Sequence, residues 1–261
     1  MGGGAAAYDV AVLRLLHVTF SCADPETVSE FWSTLLGYER APAGDSWVAS
    51  DPRGEDVRLL FNKMSKSETI EVPLHLDINV PDREAALERV LQLGGSLVAT
   101  KSYEIGDLAD TCTVMRDPEG NGFCLEGPPD TERAHIWNVT FASAEPHELA
   151  HFWAFALGWS DNGIPESIFR RFRDAGVREP DLSGFQLVRA PNGGRPRFYF
   201  HRREKSRPEF YPLHLDFGTD DREGEVQRLT QAGATVVETK QGTNVTFTIM
   251  RDPEGNPFCV G

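Results

Sequence analysis

Two histidines stand in identical surroundings and are the first candidates for chemistry. His75 and His214 each occupy the middle of the pentapeptide Pro-Leu-His-Leu-Asp, at residues 73–77 and 212–216. An imidazole has an ordinary pKa of about 6.5, so either side chain could act as a general base near neutral pH. The alternative is a structural role, in which each histidine contacts the aspartate two residues later on the same strand face. The shared surroundings favour the structural role.

The pentapeptide belongs to an internal repeat that runs through the chain. Three further motifs occur once in each half: Val-Thr-Phe at 18–20 and 139–141, Phe-Trp at 31–32 and 152–153, and Met-Arg-Asp-Pro-Glu-Gly-Asn at 115–121 and 250–256. The 261 residues are therefore two homologous halves, a length that suits two domains. The predicted organisation is a flexible leader at 1–12, a first domain at 13–127, a linker at 128–133 and a second domain at 134–261.

The elements that position these motifs follow from hydrophobic periodicity and turn residues. Asp24-Pro25 predicts a helix N-terminus, and an apolar stripe that includes Phe31 and Trp32 predicts a helix that packs on the core. Gly37 then predicts the end of that helix. Strand patterns and a second, shorter helix pattern follow, and the second half repeats the series. The order β-α-β-β with a further strand occurs twice in each half, which predicts four such units.

Composition and charge exclude several classes of partner. The chain carries 26 Lys and Arg against 40 Asp and Glu, a net charge of −14 at pH 7, and so acidic a surface repels nucleic acids and anionic membranes. No apolar run approaches the roughly 18–20 residues that cross a bilayer. The four cysteines form no Cys-x-x-Cys pair, which is typical of reduced thiols. We therefore expect a cytoplasmic protein without a nucleic-acid or membrane partner.

Three motifs in order, each present in both halves, resemble the vicinal oxygen chelate superfamily of glyoxalase, bleomycin-resistance and extradiol dioxygenase-like proteins. They are His-Val-Thr-Phe at 17–20 with its counterpart Asn-Val-Thr-Phe at 138–141, Leu-His-Leu-Asp at 74–77 and 213–216, and Asp-Pro-Glu-Gly-Asn at 117–121 and 252–256. The resemblance covers about residues 13–126 and 134–261. It implies two tandem glyoxalase-like domains of the α+β class, in which four βαβββ units form two curved mixed sheets with ligand clefts.

The resemblance also implies where a metal would bind, because metal-using members take ligands from the first and last strands of their units. His17 and His75 occupy first-strand positions, where they could hold a divalent cation across a cleft. The carboxylate expected four residues after the turn glycine is replaced by Cys124, and by Cys259 in the second half. The implied set is His17, His75 and Glu126, for zinc, iron, manganese or nickel. The incomplete pattern favours no metal, and a soft histidine and cysteine site is the alternative.

The second half carries an insertion that could touch a ligand. The repeat offset grows from 121 to 139 residues, which marks an insertion at about 160–197. Its arginine and phenylalanine residues suit a rim for an anionic or aromatic ligand, although the plainer interpretation is a solvated loop. Within it, Pro-Asn-Gly-Gly at 191–194 predicts a hairpin turn. The candidate ligand-binding residues are His17, Phe61, Asn138, Arg170, Arg173 and His201.

Two functions remain open at this point. The first is a small-molecule binding protein that holds a hydrophobic or aromatic ligand in a cleft, which fits the incomplete metal set and the 16 Phe, 5 Trp and 5 Tyr. The second is a metal-assisted isomerase, lyase or dioxygenase acting on vicinal oxygens, with His75 and His214 as catalytic candidates. We favour the binding protein. Because both halves lie in one chain, a monomer is expected as readily as a homodimer.

Overall fold

A computed structural model describes most of the chain. The described residues are 13–64, 73–105, 108–127, 131–161, 170, 173–174, 184–202, 212–241 and 246–261. The predicted leader at 1–12 lies outside them, as does most of the insertion between 162 and 183.

The described elements follow the predicted order. The first half contains β1 (Arg14–Cys22), α1 (Pro25–Leu36), β2 (Glu39–Ala43), β3 (Ser46–Ser50), β4 (Arg58–Lys63), β5 (Leu74–Asn79), α2 (Arg83–Gln92), β6 (Ser96–Ile105), β7 (Leu108–Arg116) and β8 (Gly122–Glu126). The second half contains β9 (His135–Ser143), α3 (Pro146–Leu157), β10 (Phe185–Val188), β11 (Arg197–Arg202), β12 (Leu213–Gly218), α4 (Arg222–Gln231), β13 (Thr235–Gln241), β14 (Thr246–Arg251) and β15 (Pro257–Val260). None of the described helices is long and apolar enough to cross a membrane.

Local sequence accounts for the ends of the first helix. The Asp24 carboxylate accepts a hydrogen bond from the Thr27 backbone N–H, and Pro25 occupies the first turn, where its missing N–H costs nothing. Gly37 ends α1 with φ = 70°, a left-handed conformation that glycine adopts without strain. The predicted hairpin is also present, because β10 pairs antiparallel with β11 across a 3₁₀ turn at Pro191–Gly193.

The strands form two mixed sheets, which confirms the predicted α+β class. The first sheet has the order β13-β14-β15-β12-β1-β4-β3-β2, and the second sheet has the order β10-β11-β9-β5-β8-β7-β6. In the first sheet β1 pairs parallel with β4 and antiparallel with β12. In the second sheet β5 pairs parallel with β8 and antiparallel with β9.

Each sheet therefore combines one unit from each half of the sequence. The unit β1–β4 pairs with β12–β15, and the unit β5–β8 pairs with β9–β11. The opening strands of the two units lie side by side at the centre of each sheet. Polar side chains from opposite halves of the chain consequently meet at these central pairs.

The repeated Phe-Trp and Asp-Pro-Glu-Gly-Asn motifs are structural, as predicted for the aromatic pair. Trp32 is 1 % exposed, and its indole N–H donates to the Asp117 carboxylate at 3.1 Å. The Glu119 carboxylate accepts from the backbone N–H groups of Ala23 and Asp24 at the start of α1. The turn that closes each half is thus tied to the helix that opens it.

The second copy of this turn gives a testable pH prediction. Burial raises the pKa of Asp252 to about 6, against hydrogen bonds from Asn256, Glu254 and Trp153 that lower it. Because this value lies above an unfolded pKa of about 3.9, the group's contribution to stability is full below about pH 4 and is lost as pH rises through 6. Carboxyl ¹³C NMR of the folded protein should show Asp252 titrating near pH 6. A midpoint near 4 would contradict this assignment.

Candidate functional site

The second sheet brings three chemically active side chains together on one face. His75 and Asp77 lie on β5, and Cys124 lies on β8 directly opposite Asp77 in the parallel ladder. The ligand atoms of these three residues all lie within 4.8 Å of one another. We call this group the second-sheet cluster.

Asp77 is the centre of the second-sheet cluster. One carboxylate oxygen, Oδ2, accepts hydrogen bonds from Asn138 Nδ2 at 2.8 Å and Thr140 Oγ1 at 2.7 Å. The other oxygen, Oδ1, lies 3.2 Å from His75 Nε2. Burial would raise the pKa of Asp77, but the contact with His75 and the two hydrogen bonds hold it below its ordinary value. The carboxylate is therefore held ionised inside the protein.

Cys124 completes the second-sheet cluster as a buried thiol. A hydrogen bond with Cys112 and burial together raise the pKa of Cys124 well above its ordinary value. A free thiol with so high a pKa is a poor nucleophile. Cys124 is therefore suited to packing or hydrogen bonding rather than to nucleophilic catalysis.

The first sheet carries the same three residue types in the same places. His214 and Asp216 lie on β12, and Cys259 lies on β15 opposite Asp216 in a parallel ladder. Their ligand atoms also lie within 4.8 Å of one another. We call this group the first-sheet cluster. Burial and the carboxylate of Asp216 both raise the pKa of Cys259.

The surroundings of Asp216 reproduce those of Asp77. Thr19 Oγ1 donates to Asp216 Oδ2 at 2.5 Å, and His214 Nε2 lies 3.3 Å from Oδ1. His17 adds a more distant contact, with Nδ1 4.0 Å from Oδ2. Burial would raise the pKa of Asp216, but its contacts with His214 and Thr19 lower it overall. His17 has a lowered pKa, because burial and the charge of Arg58 outweigh the attraction of Asp216.

A half-buried guanidinium lies beside the second-sheet cluster. Arg197 on β11 faces Asn138 on β9, and its Nε–H donates to Asn138 Oδ1 at 2.9 Å. Its guanidinium carbon lies 3.8 Å from the centre of the Trp137 ring. Burial lowers the pKa of Arg197 to about 10, although the charges of Glu126 and Asp77 oppose this shift. Asn138 therefore links the arginine to the Asp77 carboxylate.

Further rings extend from the second-sheet cluster along β11. The His201 ring centre lies 6.2 Å from that of His75 and 6.2 Å from that of Tyr199. Tyr199 stacks on Phe185 at 6.0 Å with an interplanar angle of 9°. Burial and the neighbouring His75 lower the pKa of His201, which keeps this imidazole neutral at pH 7.

The sheet order corrects the predicted metal set of His17, His75 and Glu126. His17 lies in the first sheet beside Asp216, whereas His75 and Glu126 lie in the second sheet. Glu126 pairs with Asn79, four residues along β5 from His75. The structure therefore does not bring these three residues together. It groups each central histidine with its own strand aspartate and with the cysteine that replaces the expected carboxylate.

The other predicted ligand residues divide into three groups. Asn138 and His201 adjoin the second-sheet cluster, as described above. Phe61 does not face it: this ring is 0 % exposed and stacks on Phe20 at 5.1 Å, because its position on β4 points it to the helix-covered core. The prediction that Phe61 binds a ligand was therefore wrong. Successive side chains of a strand point to opposite faces, and Phe61 is on the core face of β4. Arg170 and Arg173 are exposed, and most of the insertion around them lies outside the described residues.

Several residues of the site were not singled out from the sequence. Thr19 and Thr140 are the middle residues of the repeated Val-Thr-Phe motif, and both donate to the central aspartate of a cluster. Their recurrence was a usable signal, since a buried strand threonine needs a hydrogen-bond partner. Trp137 carries no repeat signal, because the matching position in the first half is Leu16.

Comparison with known proteins gives a consistent result for both halves. The sequence profile of the glyoxalase-like domain matches residues 17–126 and 138–261. No curated protein matches the chain in sequence.

Solved structures share this architecture across nearly the whole chain. Glyoxalase I from Zea mays superposes with a TM-score of 0.67 at 13 % identity, covering 96 % of this chain and 92 % of that one. A candidate dioxygenase from Bacillus subtilis superposes with a TM-score of 0.62 at 12 % identity, covering 95 % and 84 %. At these identities the likeness establishes the fold alone.

Proposed function

The chain belongs to the glyoxalase-like domain family in both of its halves, and on that premise we propose that it is a small-molecule binding protein of the glyoxalase and bleomycin-resistance type. The ligand is an aromatic compound that carries a carboxylate. It binds over the second sheet, with its anionic group on Arg197 and its ring against the neighbouring aromatic side chains.

The observation that carries this proposal is the state of the Arg197 guanidinium. Among the described residues no carboxylate lies within ion-pair distance of it, and its Nε–H is committed to Asn138. Arg197 is half-buried, and a guanidinium has five N–H donors, so its terminal N–H groups can take a polar partner from solution where water is partly excluded. A ligand carboxylate fits the terminal N–H groups in the planar, two-bond arrangement that arginine favours.

The aromatic preference is supported by the rings around that guanidinium. Trp137 lies beneath it, and Tyr199 with Phe185 forms a stacked pair further along β10 and β11. Aromatic faces supply large contact area for a planar ligand at a small cost in side-chain entropy. The lowered pKa of His201 makes this side chain a neutral hydrogen-bonding group at pH 7.

The oxygen-rich metal set that the family resemblance implies does not fit these residues. Cys124 and Cys259 occupy the places where a carboxylate is expected, and the two histidines of the first half lie in different sheets. The metal-assisted isomerase, lyase or dioxygenase remains the second candidate. Its metal would have to bind at the second-sheet cluster or the first-sheet cluster.

The proposal is tested with benzoate, salicylate and the neutral analogue benzamide. Calorimetry on metal-free protein should show that the two carboxylates bind more tightly than benzamide. In a separate fluorescence titration, their binding should quench tryptophan emission. Arg197→Gln should weaken carboxylate binding about 10- to 100-fold, because a hydrogen-bonded charge is lost. Arg14→Gln is the control, since Arg14 is an exposed partner of Asp220 at the start of β1 in the first sheet. Equal binding of benzamide, or equal affinity in the Arg197 variant, would overturn the proposal.

A further inference from the structure

We propose that the chain has a second ligand site, in a cavity between its two halves, which binds a small aromatic cation of the amidinium or primary-amine type. The cavity has a volume of about 230 Å³, and none of the described residues that line it belongs to the second-sheet cluster or the first-sheet cluster. We call it the junction cavity. Its ligand is separate from the aromatic carboxylate proposed above.

Both halves of the chain form the junction cavity. The first half supplies Leu15 on β1 and residues 54–57, which lead into β4. The second half supplies Trp159, which follows α3, and residues 195–196, which lead into β11. The cavity therefore needs both halves in one structure.

Two residues at equivalent places of the repeat face each other in this cavity. Asp56 stands two residues before the first residue of β4, and Arg195 stands two residues before the first residue of β11. These strands are counterparts, because each pairs parallel with the opening strand of its half. Arg195 Nε lies 3.4 Å from Asp56 Oδ1, so one position of the repeat carries opposite charges that meet at the junction.

The Asp56 carboxylate has a buried oxygen that lacks a donor. Its side chain is 0 % exposed, and Oδ1 accepts no hydrogen bond from the part of the chain that the structure describes. The Arg195 contact lies outside hydrogen-bond geometry, and the nearby Tyr38 hydroxyl donates to the Val57 carbonyl oxygen at 3.4 Å. A buried acceptor without a donor is costly, and an N–H group of a ligand would satisfy it.

The charges around the junction cavity favour a cation. Asp51, Glu55 and Asp56 supply three carboxylates, against the guanidinium groups of Arg133 and Arg195. With every group ionised, one negative charge remains in this group, and the whole chain carries −14. A negative potential attracts cations and repels anions. An amidinium also presents planar N–H donors that match a carboxylate in the way a guanidinium does.

The walls and the size of the junction cavity suit one aromatic ring. The apolar lining consists of Leu15, Val57, Trp159 and Pro196. The Trp159 ring is held by an edge contact with Phe198, with 5.5 Å between the ring centres. An apolar cavity of roughly 150 Å³ holds benzene, so this cavity admits a ring with one polar substituent. A cation beside an indole face gains further attraction.

The test is calorimetric titration of the full chain with benzamidine, and with neutral benzamide as the matched analogue. Benzamidine should bind more tightly than benzamide, and Asp56→Asn should weaken benzamidine binding about 10- to 100-fold, because a charge-assisted hydrogen bond is lost. Arg195→Gln should instead strengthen benzamidine binding about 2- to 5-fold, because a competing cation is removed from the carboxylates. Asp220→Asn, at an exposed carboxylate, is the control and should bind benzamidine as the wild type does.

A second measurement uses wild-type protein alone, so it does not depend on variant folding. NMR should show nuclear Overhauser contacts from the benzamidine ring to the Trp159 indole and the Leu15 methyl groups. Saturating benzoate should leave benzamidine binding unchanged, which separates this site from the one proposed over Arg197. If benzoate does not bind at all, the proposed function fails while the benzamidine result still decides this site.

Four results would each overturn the junction site. They are absence of benzamidine binding, equal affinity for benzamide, displacement of benzamidine by benzoate, and contacts from the benzamidine ring only to side chains outside the cavity. Unchanged binding in a folded Asp56→Asn variant, or weaker binding in Arg195→Gln, would do the same.

Discussion

Replacement of Asp77 with alanine is expected to lower the free energy of unfolding by about 3–5 kcal/mol, because it leaves two buried donors without an acceptor, at about 1–3 kcal/mol each. Asp77 is 4 % exposed and is the common acceptor for Asn138 and Thr140 as well as the partner of His75. The variant leaves these donors buried without an acceptor, and each such group loses the hydrogen bonds it would make in water. Urea unfolding with a chelator present measures this cost in the absence of metal.

The pH dependence of this effect has a definite sign. The pKa of Asp77 is below its ordinary value in the folded protein, so its contribution is fully present above the unfolded pKa of about 3.9. The contribution is lost as pH falls through the folded pKa. The difference between wild type and variant should therefore be constant from pH 7 to about 5 and shrink only in more acidic solution. Asp220→Ala, at an exposed carboxylate, should leave stability almost unchanged; a comparable loss there would contradict the explanation.

Replacement of Arg133 with alanine is expected to lower the free energy of unfolding by about 2–4 kcal/mol. The variant leaves buried carboxylates without the positive charge that Arg133 provides. Arg133 precedes β9 in the second half, and it contacts Asp51, Glu55 and Asp56 in the β3–β4 loop of the first half at 3.1, 2.8 and 3.5 Å. The Asp51 and Asp56 side chains are 2 % and 0 % exposed. Arg195 also contacts Glu55 and Asp56, which limits the loss.

The Arg133 prediction is checked by denaturant unfolding at two pH values. Burial raises the pKa of Asp56, and loss of Arg133 removes an interaction that opposes this shift. The carboxyl then takes up a proton at a higher pH in the variant, so the loss of stability should be smaller at pH 5 than at pH 7. Arg202→Ala, at an exposed pair with Glu145, is the control. An equal loss at both pH values would show that the buried carboxylates are not its cause.

The fold followed from the sequence because its signals are local and occur twice. The Asp24 cap, the Gly37 end and the Phe-Trp stripe act within one helix, and the structure confirms each of them. The turn at 117–121 likewise depends on residues adjacent in sequence. Repetition of such motifs in order was enough to establish four units and the α+β class.

The membership of each site did not follow, because it depends on which opening strands pair. Strand pairing is made by backbone hydrogen bonds that all four opening strands can offer. Side-chain pattern sets which face of a strand is buried, but it does not choose the neighbouring strand. His17 therefore meets Asp216, 199 positions away, rather than the nearer His75.

The sequence by itself determined the units, their internal order and the central histidines with their aspartates two residues later. The tertiary structure decided that each sheet joins one unit from either half, that Cys124 and Cys259 complete the clusters, and that Phe61 belongs to the core. The physical reason is the sequence distance over which the interactions act. Helix caps, turns and strand alternation depend on residues that are neighbours along the chain. A binding site depends on which strands pair in a sheet, and those strands are far apart in sequence.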